Sequence, residues 1–424
     1  MRPGRYHRLV RVLLVSANTE RVNMVALPLG LGLVAAATRR AGHDVTCVDL
    51  LGAADPLAAV RDVIRDARPE VIGVSVRNID DQCRENPRFL LAAVKEVVDA
   101  CRACSAAPIV LGGAGYSIFP EAALEYLGAD LGVAGDGEVA FPALLDRLAR
   151  GADPAGLPGV VVPGGEPARP EFPHDLDGLP LWDSSLAEVA DPADPDLWIP
   201  VQSRRGCPND CSYCSTARIQ GRAIRCRSPR LVVDEVRRLA TAGFRRFYFV
   251  DNSFNIPESH ALELCRHLAT IEPRATWRCI LYPHLVGAEL VAAMAAAGCV
   301  EVSLGFESAC PEVLREMNKR FLPEDVRAAV ALLKAHRIRC MGFLLLGGPG
   351  ETRESVEASL AFAASLGLDA LRVTVGLRIY PGTPLARRAV ADGVIASEED
   401  LLQPRFYLAP GLEPWIHERL AGTR

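Results

Sequence analysis

The chain has 424 residues, of which 50% are hydrophobic and 23% are charged, a composition typical of globular proteins that predicts two or three domains. A formal net charge of -5 and the lack of a long basic run argue against nucleic acid as a partner. No apolar stretch is long enough for a membrane span, no signal peptide is evident, and 13 cysteines in a chain of this length favour metal-binding or catalytic thiols over disulfides, so we expect a cytoplasmic protein.

The first part of the chain alternates short apolar strands with helical patterns. Strands are predicted at 11–17, 44–50, 71–76, 108–115 and 130–135, and helices at 29–41, 56–67, 88–103, 120–127 and 137–150. This alternation predicts a doubly wound, Rossmann-like parallel sheet over residues 1–150, with its ligand site beyond the carboxyl ends of the strands. Residues 151–196 are rich in Pro, Gly and Asp and are predicted to form a linker.

A second alternating series follows the linker. Its strands are predicted at 197–204, 245–250, 276–282, 299–305, 339–346 and 370–376, each followed by an amphipathic helix. Six βα units are fewer than the eight of a closed barrel, so we expect a partial (β/α)6 barrel of the TIM type over residues 197–390. Residues 391–424 would form a short C-terminal extension.

Three cysteines lie just after the first strand of this second series, in the sequence "SRRGCPNDCSYCS". Cys207, Cys211 and Cys214 have the spacing C-x3-C-x2-C. A structural zinc site would need a fourth Cys or His at a matching spacing, and none follows. Three thiolates on a cluster of four irons leave one iron without a protein ligand, which suits a cluster that binds a cofactor or substrate directly.

This motif resembles that of the radical S-adenosylmethionine superfamily, in which the three cysteines hold a 4Fe-4S cluster. "YFVDNSF" (248–254), "VSLGFES" (302–308), "LLGGPGET" (345–352) and "RIYPGTPLA" (378–386) resemble its later strand-end motifs. The resemblance implies that S-adenosylmethionine contacts a set of residues at these strand ends: Asp251, Asn252, Glu307, Ser308, Gly347, Gly348 and Tyr380.

The order of the two halves resembles the branch of that superfamily that carries a cobalamin-binding domain. The stretches at 27–49, 110–130 and 132–148 have recognisable counterparts there. The resemblance implies that cobalamin is held by Gly30, Gly32, Asn78, Gly112, Gly113, Gly115, Gly135 and Glu138. The D-x-H-x-x-G signature that supplies a histidine to cobalt is absent, which removes that lower axial ligand without excluding the cofactor.

A nicotinamide dinucleotide site is the alternative interpretation of the first half. "GLGLVA" (30–35) fits G-x-G-x-x-A, with Asp49 about twenty residues further on. That fingerprint should begin directly after the strand, because its glycines form the tight turn into the helix. Here "NTERVNMVALPL" intervenes, so this interpretation is the weaker one.

The resemblance implies that an electron from a donor such as flavodoxin or ferredoxin cleaves S-adenosylmethionine to methionine and a 5'-deoxyadenosyl radical. It further implies that this radical removes hydrogen from an unactivated carbon of a small metabolite or natural-product intermediate, that the substrate radical takes the methyl group of methylcobalamin, and that a second S-adenosylmethionine remethylates cobalt. Two alternatives remain open. One is a cyclase, ring-rearranging or dehydrogenating enzyme that uses the same cofactors without methyl transfer. The other is a non-catalytic cobalamin or redox sensor. The sequence predicts neither the substrate nor the oligomeric state.

Overall fold

The structure is a computed structural model that describes residues 8–20, 27–167, 169–182 and 191–421. The chain divides into two compact units. The first unit comprises Met1–Asp81, Arg88–Leu197 and Arg218–Gly221, and the second comprises Gln82–Pro87, Trp198–Ala217 and Arg222–Arg424. Residues 183–190 of the predicted linker and 422–424 of the predicted extension lie outside the described residues.

The first unit is built on a sheet with the strand order β2-β1-β3-β4-β5-β6. Its strands are β1 (Arg11–Ser16), β2 (Asp44–Asp49), β3 (Val71–Ser75), β4 (Ile109–Gly112), β5 (Leu131–Val133) and β6 (Val160–Val161). The first five are parallel, and β6 pairs antiparallel with β5. The predicted doubly wound sheet is confirmed. The β6 strand lies within the predicted linker, where two apolar residues among Pro and Gly show no periodicity that would mark a strand.

Within the described part of the first unit, six helices accompany this sheet: α1 (Leu29–Arg40), α2 (Pro56–Ala67), α3 (Leu91–Cys104), α4 (Ala114–Ile118), α5 (Pro120–Leu127) and α6 (Gly137–Ala149). The α2 helix begins where Asp55, as N-cap, accepts a hydrogen bond of 2.9 Å from the Ala58 backbone N–H. The β1 strand is buried at five of its six residues, as expected for a parallel strand covered by helices on both faces.

The second unit contains six parallel strands in the order β14-β13-β12-β11-β10-β7. They are β7 (Ile199–Val201), β10 (Arg246–Phe249), β11 (Thr276–Leu281), β12 (Cys299–Glu307), β13 (Arg339–Leu346) and β14 (Ala370–Val375). Two antiparallel ribbons accompany them: β8 (Arg204–Arg205) with β9 (Arg225–Cys226), and β15 (Leu377–Arg378) with β16 (Phe406–Tyr407). The strands follow one another in chain order with β7 and β14 at the edges, which confirms the predicted partial barrel.

The helices of the second half are α7 (Thr216–Gln220), α8 (Pro229–Thr241), α9 (Glu258–Leu268), α10 (Ala288–Ala296), α11 (Pro311–Glu316), α12 (Pro323–Ala335), α13 (Arg353–Leu366), α14 (Pro384–Ala391) and α15 (Trp415–Ala421), with a 3-10 helix at Glu399–Leu402. Among the described residues, no helix has the length and apolar character needed to cross a bilayer.

The barrel strands alternate fully buried and half-buried residues, as β11 does from Thr276 to Leu281. The fully buried residues pack beneath the helices, and the half-buried ones form the face that lines the interior of a barrel. On that face Arg278 lies 3.5 Å from Glu301 of the neighbouring strand, and its guanidinium stacks 4.3 Å from the ring centre of Trp198. This cluster therefore joins side chains of β11 and β12 to the residue that precedes β7.

Candidate functional site

The cysteine loop begins directly after β8, which follows the first barrel strand β7 and pairs with β9. Cys207 and Cys211 are half-buried and Cys214 is exposed, and each of the three thiols interacts electrostatically with the other two. Burial raises the pKa of Cys207, and it raises the pKa of Cys211 to about 11; the Lys319 ammonium acts on both thiols in the opposite direction. The loop therefore brings the three thiols close together beside the Lys319 ammonium, and two of the three are partly shielded from water.

In the described part of the chain, no three His, Cys, Asp or Glu side chains are yet arranged as metal ligands. The Sγ of Cys214 lies 3.2 Å from Thr216 Oγ1. The donor set nevertheless fits an iron–sulfur cluster, because thiolates are the ligands of such clusters and the nearby Lys319 ammonium and Arg204 guanidinium would offset their negative charge. We conclude that the loop has the chemistry to hold the cluster.

The end of β12 lies against this loop. Glu307 has a φ of +58° at a register irregularity, and its Oε1 accepts hydrogen bonds of 3.0 Å from Tyr213 Oη and from Lys319 Nζ. Burial lowers the pKa of Lys319, but Glu307 and Tyr213 outweigh it and hold that pKa well above its usual value. Glu307 and Lys319 thus form a buried ion pair, and Tyr213, which directly precedes Cys214, is hydrogen-bonded to it.

Asp251, at the end of β10, is 1% exposed, and its carboxylate is directed to the end of β7. It accepts hydrogen bonds from Ser203 N at 2.9 Å, Ser203 Oγ at 2.6 Å and Arg204 N at 3.1 Å. Its neighbour Asn252 is half-buried. The acidic residue predicted to contact S-adenosylmethionine is therefore bonded to the segment that leads into the cysteine loop.

The predicted Ser308 and glycine-rich motifs lie at the ends of β12 and β13. Ser308 is fully buried, and its Oγ lies 3.1 Å from Ser359 Oγ of α13. The backbone N–H groups of Gly347 and Gly348 both donate to Glu351 Oε2, the second at 3.1 Å. Burial raises the pKa of Glu351 to about 7, although these two N–H groups oppose the rise. Ser308 and Glu351 thus hold the strand-end loops in place.

Tyr380 follows β15 and belongs to the second unit together with the segment Gln82–Pro87. Its Oη accepts a hydrogen bond of 3.0 Å from Gln82 Nε2, and its ring centre lies 5.1 Å from the guanidinium carbon of Arg378. Arg378 is buried and donates to the carbonyl groups of Ile379 and Leu401. Gln82 and Arg378 therefore hold the side chain of Tyr380, the last of the predicted S-adenosylmethionine contacts, in position.

The segment Gln82–Pro87 also contacts the C-terminal helix of the second unit. Arg84 donates to Glu413 Oε2 at 2.7 Å and lies 3.0 Å from His417 Nε2, while His417 Nδ1 lies 3.3 Å from Glu85. These residues line a cleft of about 600 Å³ together with Phe406. Its charges are largely paired with one another, so we assign the network a structural role.

Two of the predicted cobalamin glycines are explained by backbone packing in the first unit. Gly113 has a φ of +101°, and a Cβ there would lie 2.5 Å from Val76 O; a Cβ at Gly115 would lie 3.0 Å from Arg77 O. Gly112 has only Val133 O at 3.7 Å, and Gly30 has nothing within 4 Å. Gly30 and Gly112 therefore leave space that another molecule can use, whereas Gly113 and Gly115 allow the segments that follow β3 and β4 to lie close together.

The remaining predicted cobalamin residues are distributed around the same sheet. Gly32 is buried within α1, Glu138 is buried in the first turn of α6, and Gly135 has a φ of +83° with Pro170 close to its Cβ position. Asn78 lines a small crevice with Arg77 and Asn18 beyond the ends of β1 and β3. That position is the switch point of the strand order, where doubly wound sheets bind ligands.

Sequence reasoning missed Lys319 and Arg204. Lys319 follows the short helix α11, and only the folded chain brings it back to Glu307, twelve residues earlier. In the sequence, Arg204 and Arg205 resemble two solvent-exposed cations, yet both side chains are buried. No periodic signal marks either residue, although charged residues beside a cysteine motif are a reason to examine them.

Both halves of the chain match known domains. Residues 201–363 match the radical SAM superfamily, and residues 15–145 match the B12 binding domain. An uncharacterized methyltransferase of Pyrococcus horikoshii is 27% identical over 400 residues, which cover 92% of this chain and 85% of that protein. The cytidylyl-2-hydroxyethylphosphonate methyltransferase of Streptomyces wedmorensis is 26% identical over 469 residues, covering 93% of this chain and 84% of that protein.

A solved structure agrees over nearly the whole chain. The radical S-adenosylmethionine methyltransferase TsrM from Kitasatospora setae, with tryptophan substrate and an S-adenosylmethionine analogue bound, superposes with a TM-score of 0.83 at 25% sequence identity. The superposition covers 97% of this chain and 87% of that chain. The likeness therefore extends over both the sheet of the first unit and that of the second.

Proposed function

Because the chain belongs to the radical S-adenosylmethionine enzymes that carry a cobalamin-binding domain, we propose that it transfers a methyl group to an unactivated carbon of a small molecule. The family predicted from the cysteine and strand-end motifs is confirmed. Its cofactors are a 4Fe-4S cluster, S-adenosylmethionine and cobalamin.

The cysteine loop is the observation that carries this proposal. Cys207, Cys211 and Cys214 provide three thiols at the exit of the first barrel strand, and the buried Lys319 ammonium acts on the thiols of Cys207 and Cys211. With S-adenosylmethionine, a bound cluster supplies one-electron chemistry, and cobalamin supplies a carrier for the methyl group. The protein contributes thiolate ligands and positive charge.

The surrounding residues would orient the cofactors and exclude water. Glu307 and Lys319 are held against Tyr213, whose neighbour in the chain is Cys214, so we propose that this ion pair positions the cysteine loop and borders the S-adenosylmethionine site. The half-buried inner faces of β11, β12 and β13 line the barrel interior, where a reactive radical needs shelter from solvent.

In the first unit, we propose that Gly30, Gly112 and Asn78 contact cobalamin directly. Support comes from the open space at both glycines and from the position of Asn78 beyond the ends of β1 and β3. Gly113 and Gly115 would act indirectly, by holding the backbone that carries Asn78. Glu138, Gly32 and Gly135 would shape the helices and turns around the ligand.

The substrate is proposed to be a small molecule, and relatives do not fix which one. TsrM was solved with tryptophan, whereas the Streptomyces wedmorensis relative acts on a cytidylyl phosphonate. Tryptophan is therefore the first compound to test. A low-potential donor such as flavodoxin or ferredoxin would supply electrons.

The first experiment is an anaerobic reconstitution with iron, sulfide and hydroxocobalamin, followed by desalting and metal analysis. The loaded protein is then incubated with dithionite and with S-adenosylmethionine labelled in its methyl group, because cobalt must be reduced before it can accept a methyl cation and cleavage of S-adenosylmethionine needs one electron. We expect about four irons and about one cobalt per chain, and label appearing on cobalamin. A protein that binds iron but no cobalt would overturn the proposal of cobalamin-dependent methyl transfer. Both metals with cleavage to 5'-deoxyadenosine but no label on cobalamin would favour the cyclase or dehydrogenating alternative, and a loaded protein that cleaves nothing would favour the sensor.

A further inference from the structure

Arg204 is a buried arginine three residues before the first cluster cysteine. It lies on β8, paired with Cys226 of β9, and is 1% exposed. Its Nε donates to Ser253 O at 2.9 Å, and its Nη1 donates to Gly206 O at 3.0 Å. Its Nη2 is buried and has no hydrogen-bond partner among the described residues.

A buried guanidinium needs a compensating negative charge. Arginine keeps its proton in proteins, and an unpaired charge in a medium of low dielectric constant is costly. Among the described residues, no carboxylate forms a salt bridge with the Arg204 side chain. The titratable groups that act on it are Asp251, Cys207 and Cys226.

Asp251 does not satisfy this guanidinium directly. Its oxygens accept hydrogen bonds from Ser203 and from the backbone N–H of Arg204. The Asp251 charge acts on the guanidinium but leaves Nη2 without a hydrogen bond. The cysteine loop can supply a second negative charge, because Cys207 also acts on Arg204 and its thiol becomes a thiolate when it binds metal. We therefore look for the partner of Nη2 at the cysteine loop.

From this we infer that Arg204 donates a hydrogen bond to a sulfur of the iron–sulfur cluster and makes the cluster easier to reduce. Reduction adds one electron to a group that is already negatively charged overall, and a buried cation stabilises the product more than the reactant. Hydrogen bonds to sulfur and local charge are established determinants of cluster potential. The inference rests on the proposed cluster site and extends it to a positioning residue that sets the potential.

A purely structural role makes a different prediction. If Arg204 only joins Ser253 to Gly206, its replacement lowers stability or iron content but leaves the midpoint potential of the loaded protein unchanged. The potential is therefore the informative quantity, and it is measured without substrate turnover.

The test is an anaerobic redox titration of the reconstituted protein, with dithionite as reductant and the reduced cluster followed by electron paramagnetic resonance. In Arg204→Gln we expect the ratio of reduced to oxidised cluster at a fixed potential to fall at least about tenfold, which for one electron is about 59 mV. Arg205→Gln is the matched control, because Arg205 is also buried, but the cations that act on the Cys207 thiol are Arg204 and Lys319. Its midpoint should equal that of the unchanged protein.

A midpoint in Arg204→Gln equal to that of the unchanged protein would overturn the inference while leaving the cluster site intact. Failure of the unchanged protein to bind iron would instead overturn the proposed function. If Arg204→Gln does not take up iron, a second measurement decides. Protein grown with 15N-arginine should show a nitrogen coupling to the reduced cluster in pulsed resonance spectra, and Arg204→Lys should lose it. Absence of that coupling in the unchanged protein would also overturn the inference.

Discussion

The Lys319 ammonium lies 3.0 Å from Glu307 Oε1, and the side chains are only 6% and 12% exposed. Replacing one partner of such a buried ion pair lowers the stability of the fold, because the other charge stays buried without a counter-charge. Tyr213 donates to the same carboxylate oxygen, so the pair also anchors the cysteine loop.

We expect Lys319→Met to lower the free energy of unfolding of the metal-free protein by about 3–5 kcal/mol, because Glu307 loses its cation. Urea denaturation measures this change. Lys95→Met is the control, since Lys95 and Asp99 form an exposed pair at 3.7 Å, which is worth at most about 0.5 kcal/mol. The double change Lys319→Met with Glu307→Gln should recover part of the loss. Equal effects of Lys319→Met and Lys95→Met would contradict the buried pair.

Replacing any one of Cys207, Cys211 and Cys214 by alanine should reduce the iron retained after reconstitution and desalting from about four per chain to well below one. Each thiol would hold one iron in the proposed site, so its loss leaves that iron without a protein ligand. Cys104→Ala, at an exposed cysteine of the first unit, should retain its iron. Cys226→Ala should retain it too, and loss of iron in that variant would mean that a fourth cysteine takes part.

Glu351 should make stability depend on pH. Burial raises its pKa from an ordinary value of 4.5 to about 7, against the opposing N–H groups of Gly347 and Gly348. Below pH 4.5 both the folded and the unfolded state carry the proton. Between there and about pH 7 only the folded state keeps it, so this residue lowers the free energy of unfolding as pH rises, by up to about 3 kcal/mol, with no further change above that window.

Glu351→Gln should remove this contribution. The amide oxygen can still accept hydrogen bonds from the two glycine N–H groups, so the local contacts are kept. Because the amide does not titrate, the difference in unfolding free energy between the variant and the unchanged protein should grow from pH 4.5 to pH 7 in favour of the variant. Urea denaturation at several pH values measures the difference. A constant difference across that range would show that the carboxyl group titrates normally.

Gly30→Ala should lower the cobalamin retained after desalting without lowering stability. A Cβ at Gly30 meets nothing within 4 Å, and alanine is favoured over glycine inside a helix by about 1 kcal/mol. Gly52→Ala is the control, because that position is equally open but lies in a turn after β2. Unchanged cobalamin retention in Gly30→Ala would remove Gly30 from the proposed site.

Gly113→Ala should behave in the opposite way. A Cβ there would lie 2.5 Å from Val76 O, and the φ of +101° is unfavourable for alanine, so we expect a loss of more than about 1 kcal/mol in the free energy of unfolding. Thermal or urea denaturation of the cobalamin-free protein measures it. If the free energy of unfolding equals that of the unchanged protein, the backbone near Val76 shifts to accommodate the Cβ without loss of stability.

Local patterns were sufficient to predict the sheets. The strand at 339–346 and the helix at 56–67 begin and end where the sequence predicts, because both are set by hydrophobic periodicity and by capping residues such as Asp55. The contacts of Asp251, Arg204 and Lys319 were not predicted, because they join residues that are distant along the chain or reverse the exposure expected of a charge. Those contacts depend on how the ends of different strands pack against one another, and the hydrophobic periodicity of the sequence carries no information about that packing.

The assignment of Gln82–Pro87 to the second unit has a consequence for how the gene can be divided. A polypeptide that begins at residue 198 would lack the partners of Tyr380, Glu413 and His417, and one that ends at residue 197 would expose Arg84 without its acidic and imidazole neighbours. The two units therefore do not correspond to two separable halves of the coding sequence. Either half expressed alone would leave these hydrogen bonds unmade.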